Sequence, residues 1–303
     1  MRKLFFSAIL VASQLCFAQG IDVLSTEQIQ IASSEGAFAP IMSPNGEYLL
    51  VTSNTMSGLM KYDLATKETS TISSEMGAGY DVIISSDGST IAYREKVYKN
   101  KLRYTTVKSV DVATGASATI VDASRTVYGV AAVNGTTSVL DGTSVKSKTM
   151  SNKAESTVAV ASIVDSKLYI SANGKTKELS PNGTGADYLW ASVSPDGTKV
   201  LYYVINSART YVCNLDGSEV TSIGTLRAPK WMGNDWVVGM MDKDDGHVVT
   251  ASKIVVSKAN GTFYSVLTDE SEICMYPSAS ADASKIVYNT ASGKVYLMNV
   301  ETK

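Results

Sequence analysis

One short turn recurs along this chain, each time between two runs of strand-forming residues. It occurs as Ser43-Pro44-Asn45-Gly46, Ser85-Ser86-Asp87-Gly88, Ser194-Pro195-Asp196-Gly197 and, in degenerate form, Ser280-Ala281-Asp282-Ala283. In such turns Pro fixes φ, Asn or Asp bonds its own backbone, and Gly accepts a positive φ. A segment repeated at intervals of roughly 40 residues is typical of the blades of a β-propeller. The sequence therefore predicts an all-β propeller in which these turns shape hairpins and bind nothing.

The first repeat unit shows the strand pattern expected of a blade. An apolar run at 38–42 precedes the turn, and a second apolar run at 48–51 follows it. An alternating strand at 59–64 and a polar, Thr-rich strand at 68–72 complete the unit. Apolar inner strands and a polar outer strand are what a four-stranded radial blade requires.

The same strand order predicts a single domain, 19–303, of six four-stranded antiparallel blades. The blades are expected at about 37–73, 79–121, 127–181, 187–223, 226–268 and 273–303. The third unit fits least well, because 141–166 adds sequence rich in Ser, Thr, Val and Lys. This segment is either an inserted hairpin or part of an extra blade, which would make seven. The last unit lacks a fourth strand, and we expect the alternating residues 21–32 to supply it and close the ring.

Residues 1–18 have the features of a signal peptide. Arg2 and Lys3 form the positive start, residues 4–15 the apolar stretch, and Cys16-Phe17-Ala18 a small-x-small cleavage site. Leu15 stands where a lipobox has a small residue, which favours cleavage near Ala18 over lipidation of Cys16. No later segment has the length and hydrophobicity of a membrane span. We therefore expect a protein exported to the periplasm, or secreted to the cell surface.

Composition argues against some classes of partner. The chain has 27 basic and 29 acidic residues, and cleavage would remove Arg2 and Lys3, which leaves a net negative charge. Nucleic acid and anionic membranes are therefore not expected partners. Cys213 and Cys274 would remain in the exported protein, and both lie in apolar strand patterns. We expect them to be buried free thiols in a monomer rather than part of a disulfide framework.

The repeat resembles that of TolB-type propellers: Ser-Pro-Asp-Gly, then apolar residues ending in Tyr, then an apolar-Tyr-x-Asp/Asn strand. Residues 194–203 with 211–217, and 43–51 with 61–66, carry it. The resemblance covers nearly all of the chain after Ala18 and implies the propeller fold. Similar repeats occur in the non-catalytic propellers of prolyl-oligopeptidase relatives. TolB has a further N-terminal domain for which this chain offers too few residues, so the resemblance does not transfer the Pal-binding role.

The sequence contains no recognisable catalytic constellation. His247 is the one histidine, and any Ser-His-Asp or His-rich metal site would depend on it. No Gly-x-Ser-x-Gly elbow is present. Asp242, Asp244 and Asp245 precede His247 and form a candidate structural Ca²⁺ site, although a solvated loop is the simpler interpretation. We expect no other cofactor and no enzymatic activity; a hydrolase or lyase is the lesser alternative.

The candidate binding surface surrounds one end of the central channel. In propellers of this type, the loops between second and third strands share a face with the starts of the inner strands, and function concentrates on such loops. The aromatic and charged residues expected there are Phe38, Tyr80, Asp81, Tyr128, Trp190, Arg227, Lys230 and Tyr276. They suit an envelope protein or peptide as partner, or alternatively a glycan or small ligand in the channel. Packing between blades is the competing role for the aromatic residues.

Overall fold

The computed structural model describes residues 20–32, 36–150 and 159–303, and these form 26 β-strands in seven antiparallel sheets. Each sheet is one blade of the propeller. The predicted signal peptide lies outside the described residues. Within the described ranges, no helix is long and apolar enough to cross a membrane.

The strands follow the chain around the ring. β1 (Ile21–Ile29) precedes blade 1, which consists of β2 (Phe38–Met42), β3 (Tyr48–Thr52), β4 (Leu59–Asp63) and β5 (Thr69–Ser73). Blade 2 holds β6 (Ile83–Ile84), β7 (Thr90–Lys99), β8 (Leu102–Asp111) and β9 (Ser117–Ser124); blade 3 holds β10 (Val127–Val133), β11 (Thr136–Asp141) and β12 (Ser144–Thr149). Blade 4 holds β13 (Val160–Val164), β14 (Lys167–Ala172) and β15 (Lys175–Leu179); blade 5 holds β16 (Tyr188–Val193), β17 (Lys199–Val204), β18 (Arg209–Asn214) and β19 (Thr221–Gly224). Blade 6 holds β20 (Arg227–Met232), β21 (Trp236–Asp244), β22 (Val249–Lys258) and β23 (Tyr264–Val266); blade 7 holds β24 (Cys274–Ala279), β25 (Lys285–Thr290), β26 (Val295–Thr302) and β1.

The ring has seven blades, which corrects the count of six and matches the alternative that the sequence left open. The unit at 127–181 divides into blades 3 and 4, each with three strands among the described residues. Two-residue turns with positive φ at both positions connect their strands, at Asn134-Gly135, Asp165-Ser166 and Asn173-Gly174. Such turns make tight hairpins. They replace the Ser-Pro-Asp-Gly turn used elsewhere, and the repeat therefore undercounted the blades.

The first residue of each recurring turn explains why the turn is repeated. Ser43, Ser85, Ser194 and Ser280 are buried. Each Oγ accepts a hydrogen bond from the backbone N–H five residues later, at 2.9 to 3.0 Å. A buried N–H at the start of the second strand is thereby satisfied. These turns are structural, as expected.

The N-terminal strand closes the ring, as predicted. β1 pairs antiparallel with β26, from Ile21 opposite Thr302 to Ile29 opposite Val295. Most β1 side chains are exposed, but Ile29 is buried in a cluster that joins blades 7 and 1. Gly20 and Lys303 exchange backbone hydrogen bonds, and the Lys303 ammonium pairs with Asp22. The two ends of the described chain are thus held in one sheet.

Apolar side chains pack chiefly between neighbouring blades. Tyr48 and Leu50 of blade 1, for example, pack in one cluster with Ile91 and Tyr93 of blade 2. Tyr188 and Tyr202 of blade 5, whose rings meet edge to face at 5.5 Å, pack in one cluster with Leu168 and Leu179 of blade 4. Cys213 and Cys274 are buried and free, as predicted. The inter-blade core makes a rigid scaffold for the loops at its faces.

Candidate functional site

The starts of the inner strands and the hairpins between second and third strands lie on one face, here called the channel face. In blade 2, Arg94 in the middle of β7 contacts Asp81, which precedes β6. In blade 6, Arg227 at the start of β20 contacts Asp242 near the end of β21. Seven of the eight predicted site residues lie just before an inner strand or among its first three residues, whereas Lys230 is the fourth of the six residues of β20.

A strained residue recurs where the inner strands begin. Ala39, Asp81, Trp190, Ala228 and Tyr276 all have φ between 44° and 51°. In blades 1, 5, 6 and 7 the pairing of the inner strand with its neighbour also slips at this residue. The left-handed conformation costs a non-glycine residue about 1–2 kcal/mol. Bulges and strain of this kind cluster at functional sites, where they re-aim side chains. Three of the five are predicted site residues.

We expect Ala228→Gly to stabilise the protein by about 1 kcal/mol, because glycine adopts this φ without strain. Urea unfolding followed by tryptophan fluorescence measures the free energy of unfolding. Ala191→Gly is the matched control: Ala191 also lies in an inner strand, but outside the set of positive-φ residues. That change should cost about 0.5–1 kcal/mol. Equal effects of the two substitutions would show that Ala228 is not strained.

On blade 2, four side chains form two neighbouring pairs at the channel mouth, Arg94 with Asp81 and Lys96 with Tyr80. The Arg94 guanidinium lies 2.6 Å from the Asp81 carboxylate and also donates to the Asp81 carbonyl at 2.7 Å. Loss of water around the Asp81 carboxylate, whose side chain is 47% exposed, disfavours its ionisation, but the charges of Arg94 and Lys230 outweigh this cost and hold its pKa below the usual value. The Lys96 ammonium lies 5.7 Å from the centre of the exposed Tyr80 ring. Asp81 is therefore a fixed negative charge among cations.

Blades 5 and 6 form a second group. The Trp190 ring packs against Tyr203 at 5.2 Å, and the Arg227 guanidinium lies 5.9 Å from the Trp190 ring centre. Arg227 also pairs with Asp242 at 3.1 Å and Asp244 at 3.6 Å. The Asp242 side chain is only 3% exposed, and its Oδ1 has no hydrogen-bond partner among the described residues. Trp190 itself stays 38% exposed. The group thus combines an open aromatic surface with a held ion pair.

The remaining predicted residues differ in their surroundings. Lys230 is exposed, and its charge contributes to the lowered pKa of Asp81. Tyr128 is exposed and Tyr276 is half-buried. Phe38 packs against Gly36 and Gly293: a Cβ on Gly293 would lie 2.8 Å from the Phe38 ring. Phe38 therefore fills a gap next to blade 7, in the packing role considered for the aromatic residues.

The carboxylates at the hairpin tip of blade 6 interact with groups of the protein itself. Asp242 and Asp244 face Arg227, and Asp245 Oδ1 accepts the backbone N–H groups of His247 and Val248, both at 2.9 Å. His247 is exposed. In the parts of the chain that the structure describes, no three His, Cys, Asp or Glu side chains group as metal ligands. The calcium site stays a prediction, and no proposal below depends on it.

Two features of this face were missing from the residue prediction. Arg94 was not selected, and its pairing with Asp81 follows from the tertiary fold. The basic stretch 98–104 is the end of the long β7–β8 hairpin, and Tyr98 and Leu102 are exposed there.

Comparison with known proteins gives a fold but no close relative. No protein family and no curated protein matches the sequence. Among solved structures, a candidate TolB from Agrobacterium tumefaciens aligns with a TM-score of 0.57 and 17% identity over 89% of this chain and 91% of that chain. An oligogalacturonate lyase in complex with manganese aligns with a TM-score of 0.51 and 15% identity, over 89% of this chain and 78% of that chain.

TolB from Acinetobacter baumannii aligns with a TM-score of 0.53 and 14% identity, over 82% of this chain and 58% of that chain. At such identities the likeness concerns the fold and not the activity. The seven antiparallel blades and these alignments together show that the chain has a β-propeller fold similar to that of the TolB structures.

Proposed function

We propose that this protein is an exported, non-enzymatic propeller that holds a protein of the bacterial envelope on its channel face. The observation that carries the proposal is the concentration of exposed large apolar side chains there: Met76, Tyr80, Tyr98, Leu102, Tyr128, Trp190, Ile205 and Val248. Exposed apolar patches of this kind mark interaction sites. The predicted signal peptide and the TolB-like fold support a location in the envelope.

The charges of the channel face support a specific partner. Arg94 is largely buried and fixed by Asp81, and Asp242 is buried and fixed by Arg227. Charges held in place in this way add selectivity for a complementary surface. Aromatic residues next to them, such as Tyr80 and Trp190, are the side chains that most often anchor an interface. The combination suits a folded or extended protein partner better than a purely apolar ligand.

Alanine substitution of Tyr80, Trp190 and Tyr276 together should weaken partner binding by about 100-fold or more. The matched control replaces Val23, Leu24 and Val220, which are exposed in the outer strand β1 or just before the outer strand β19. Partners are cross-linked and recovered from envelope extract with the wild-type protein, and the Kd of the recovered partner is then measured for all three proteins. Circular dichroism checks that each variant is folded.

Two results would contradict the proposal. The first concerns partner binding: either the channel-face triple variant and the control triple variant bind the recovered partner equally, or the wild-type protein recovers no partner. The second is turnover: because oligogalacturonate lyases share the fold, oligogalacturonate is incubated with the protein and unsaturated product is measured. Product formation above background would show that the protein is an enzyme and not a scaffold.

A further inference from the structure

The hairpin of β7 and β8 extends beyond the blade-2 sheet as an arm, residues 94–105. β6 pairs with β7 only at Ile91 and Ala92, and β9 pairs with β8 no further than Thr105. Asn100 and Lys101 form the tip, with φ of 50° and 64°, as in a two-residue hairpin turn whose twist matches the strands. Beyond these pairings, both edges of the arm lack a neighbouring strand among the residues that the structure describes.

The free edge of β7 presents backbone groups whose direction is set by the ladder. Lys99 and Leu102 flank the two-residue turn and form its closing hydrogen-bonded pair. Hydrogen-bonded and non-hydrogen-bonded pairs alternate along an antiparallel ladder, so the N–H and C=O groups of Tyr98 and Lys96 point away from β8. The Lys96 N–H donates to the Met76 carbonyl at 2.8 Å, which confirms that it points away from β8. The outward N–H and C=O of Tyr98 have no neighbouring strand to pair with.

The arm is basic and partly apolar. Lys96, Lys99, Lys101 and Arg103 lie within it, and residues 96–105 include no Asp or Glu. None of these four cations forms an ion pair with a described residue. Tyr98 is 60% exposed and Leu102 43% exposed. Unpaired cations around an open strand edge favour an acidic partner.

Side-chain alternation organises these groups toward the channel. Lys96 and Tyr98 project from the same side of β7, and Arg103, directly opposite Tyr98, shares that side. Because Lys96 lies over the Tyr80 ring, this side faces the channel mouth. Diagonal neighbours across two strands are about 7–8 Å apart. Alternate side chains of an extended peptide repeat at nearly this distance, about 6.5–7 Å.

We infer that the free edge of β7 takes an extended acidic segment of the protein partner as an added strand. The Tyr98 N–H and C=O pair with the incoming backbone, and alternate carboxylates of the segment meet Lys96 and Arg103. In strand addition the main chain supplies affinity and the alternate side chains supply specificity. The inference rests on the proposed function, because it assigns the chemistry of the partner bound at that same face.

A fluorescein-labelled synthetic peptide of alternating Glu and Val tests this by fluorescence anisotropy. The double change Lys96→Gln/Arg103→Gln should weaken binding by about tenfold or more, and the matching Gln-Val peptide should bind equally weakly to the wild type. Tyr98→Pro should bind about five- to tenfold more weakly than Tyr98→Ala, since proline alone removes the outward N–H. Proline is tolerated there because that N–H is not part of the ladder. Hydrogen exchange should show the wild-type Tyr98 amide protected by the peptide.

Several results would overturn the inference. Equal affinity of Tyr98→Pro and Tyr98→Ala, or an unprotected Tyr98 amide, would exclude strand addition. Equal binding of the Gln-Val peptide would exclude acidic recognition. Displacement of the peptide by oligogalacturonate, with no effect of Tyr98→Pro, would assign the arm to a polyanionic saccharide. Failure of the peptide to bind the wild type overturns this inference alone, because capture of the envelope partner tests the proposed function separately.

Discussion

Deletion of residues 19–34, which include β1, is expected to destabilise the propeller by about 3 kcal/mol or more and to cause self-association. Ile29 is buried between blades 7 and 1, and Ile21 packs against the blade 6–7 cluster. Burial of such side chains contributes roughly 1.5–3 kcal/mol each. The deletion also leaves β26 as an open edge, which is a template for pairing with another chain. Urea unfolding and light scattering after size-exclusion chromatography measure the two effects.

Substitution of Val23 and Leu24 by alanine is the control for the deletion. Both side chains lie in β1 but are exposed, at 43% and 63%, so the change should alter stability by no more than about 0.5 kcal/mol. A truncated protein that stays monomeric and unfolds at the same urea concentration as the full chain would show that β1 is not needed for closure.

The Gly79→Ala substitution is expected to cost about 3 kcal/mol. A Cβ on Gly79 would lie 1.9 Å from Thr52 Oγ1 and 2.2 Å from Thr52 Cβ. Thr52 is 2% exposed and its Oγ1 donates to the Gly58 carbonyl at 2.7 Å, so it has little room to move. Overpacking of this kind costs about 1–3 kcal/mol, and more when a hydrogen bond is also broken. The free energy of unfolding in urea is the measurement.

Gly185→Ala is the matched control for Gly79→Ala. Neither glycine has a positive φ, and a Cβ on Gly185 would meet no atom within 4 Å. The control should be neutral or slightly stabilising, because alanine restricts the unfolded chain. Similar losses in both variants would mean that the contact with Thr52 is not the cause. Since Gly79 directly precedes Tyr80, a destabilised Gly79→Ala protein is also expected to lose partner binding.

The sequence predicted the parts of the fold that depend on local chemistry. The recurring Ser and Gly of the turns, the apolar inner strands and the spare N-terminal strand each follow from short patterns, and all are present in the structure. The blade count did not follow, because blades 3 and 4 use two-residue turns in place of the recurring one. Their strands are also polar at the outer edge, as in β12, where most side chains are exposed.

The candidate site was predicted as a face and as a set of positions, not as a geometry. Tyr80, Asp81, Trp190 and Arg227 were selected because inner strands begin there. Their interactions involve residues that the pattern did not indicate, among them Arg94 for Asp81 and Tyr203 for Trp190. The same holds for the arm: its open edge depends on where β6 begins, and its contact with Tyr80 follows from the tertiary fold.

There is a physical reason why the sequence predicts some of these features and the tertiary structure decides the others. Turn chemistry and strand alternation act over a few residues, so the blade and its orientation are encoded locally and repeat along the chain. The number of blades and the effect of the Lys230 charge on the pKa of Asp81 depend on how distant segments of the chain assemble in the ring. Closure brings residues of blades 2 and 6 to one channel mouth, and no short pattern specifies contacts between segments that lie so far apart in the chain.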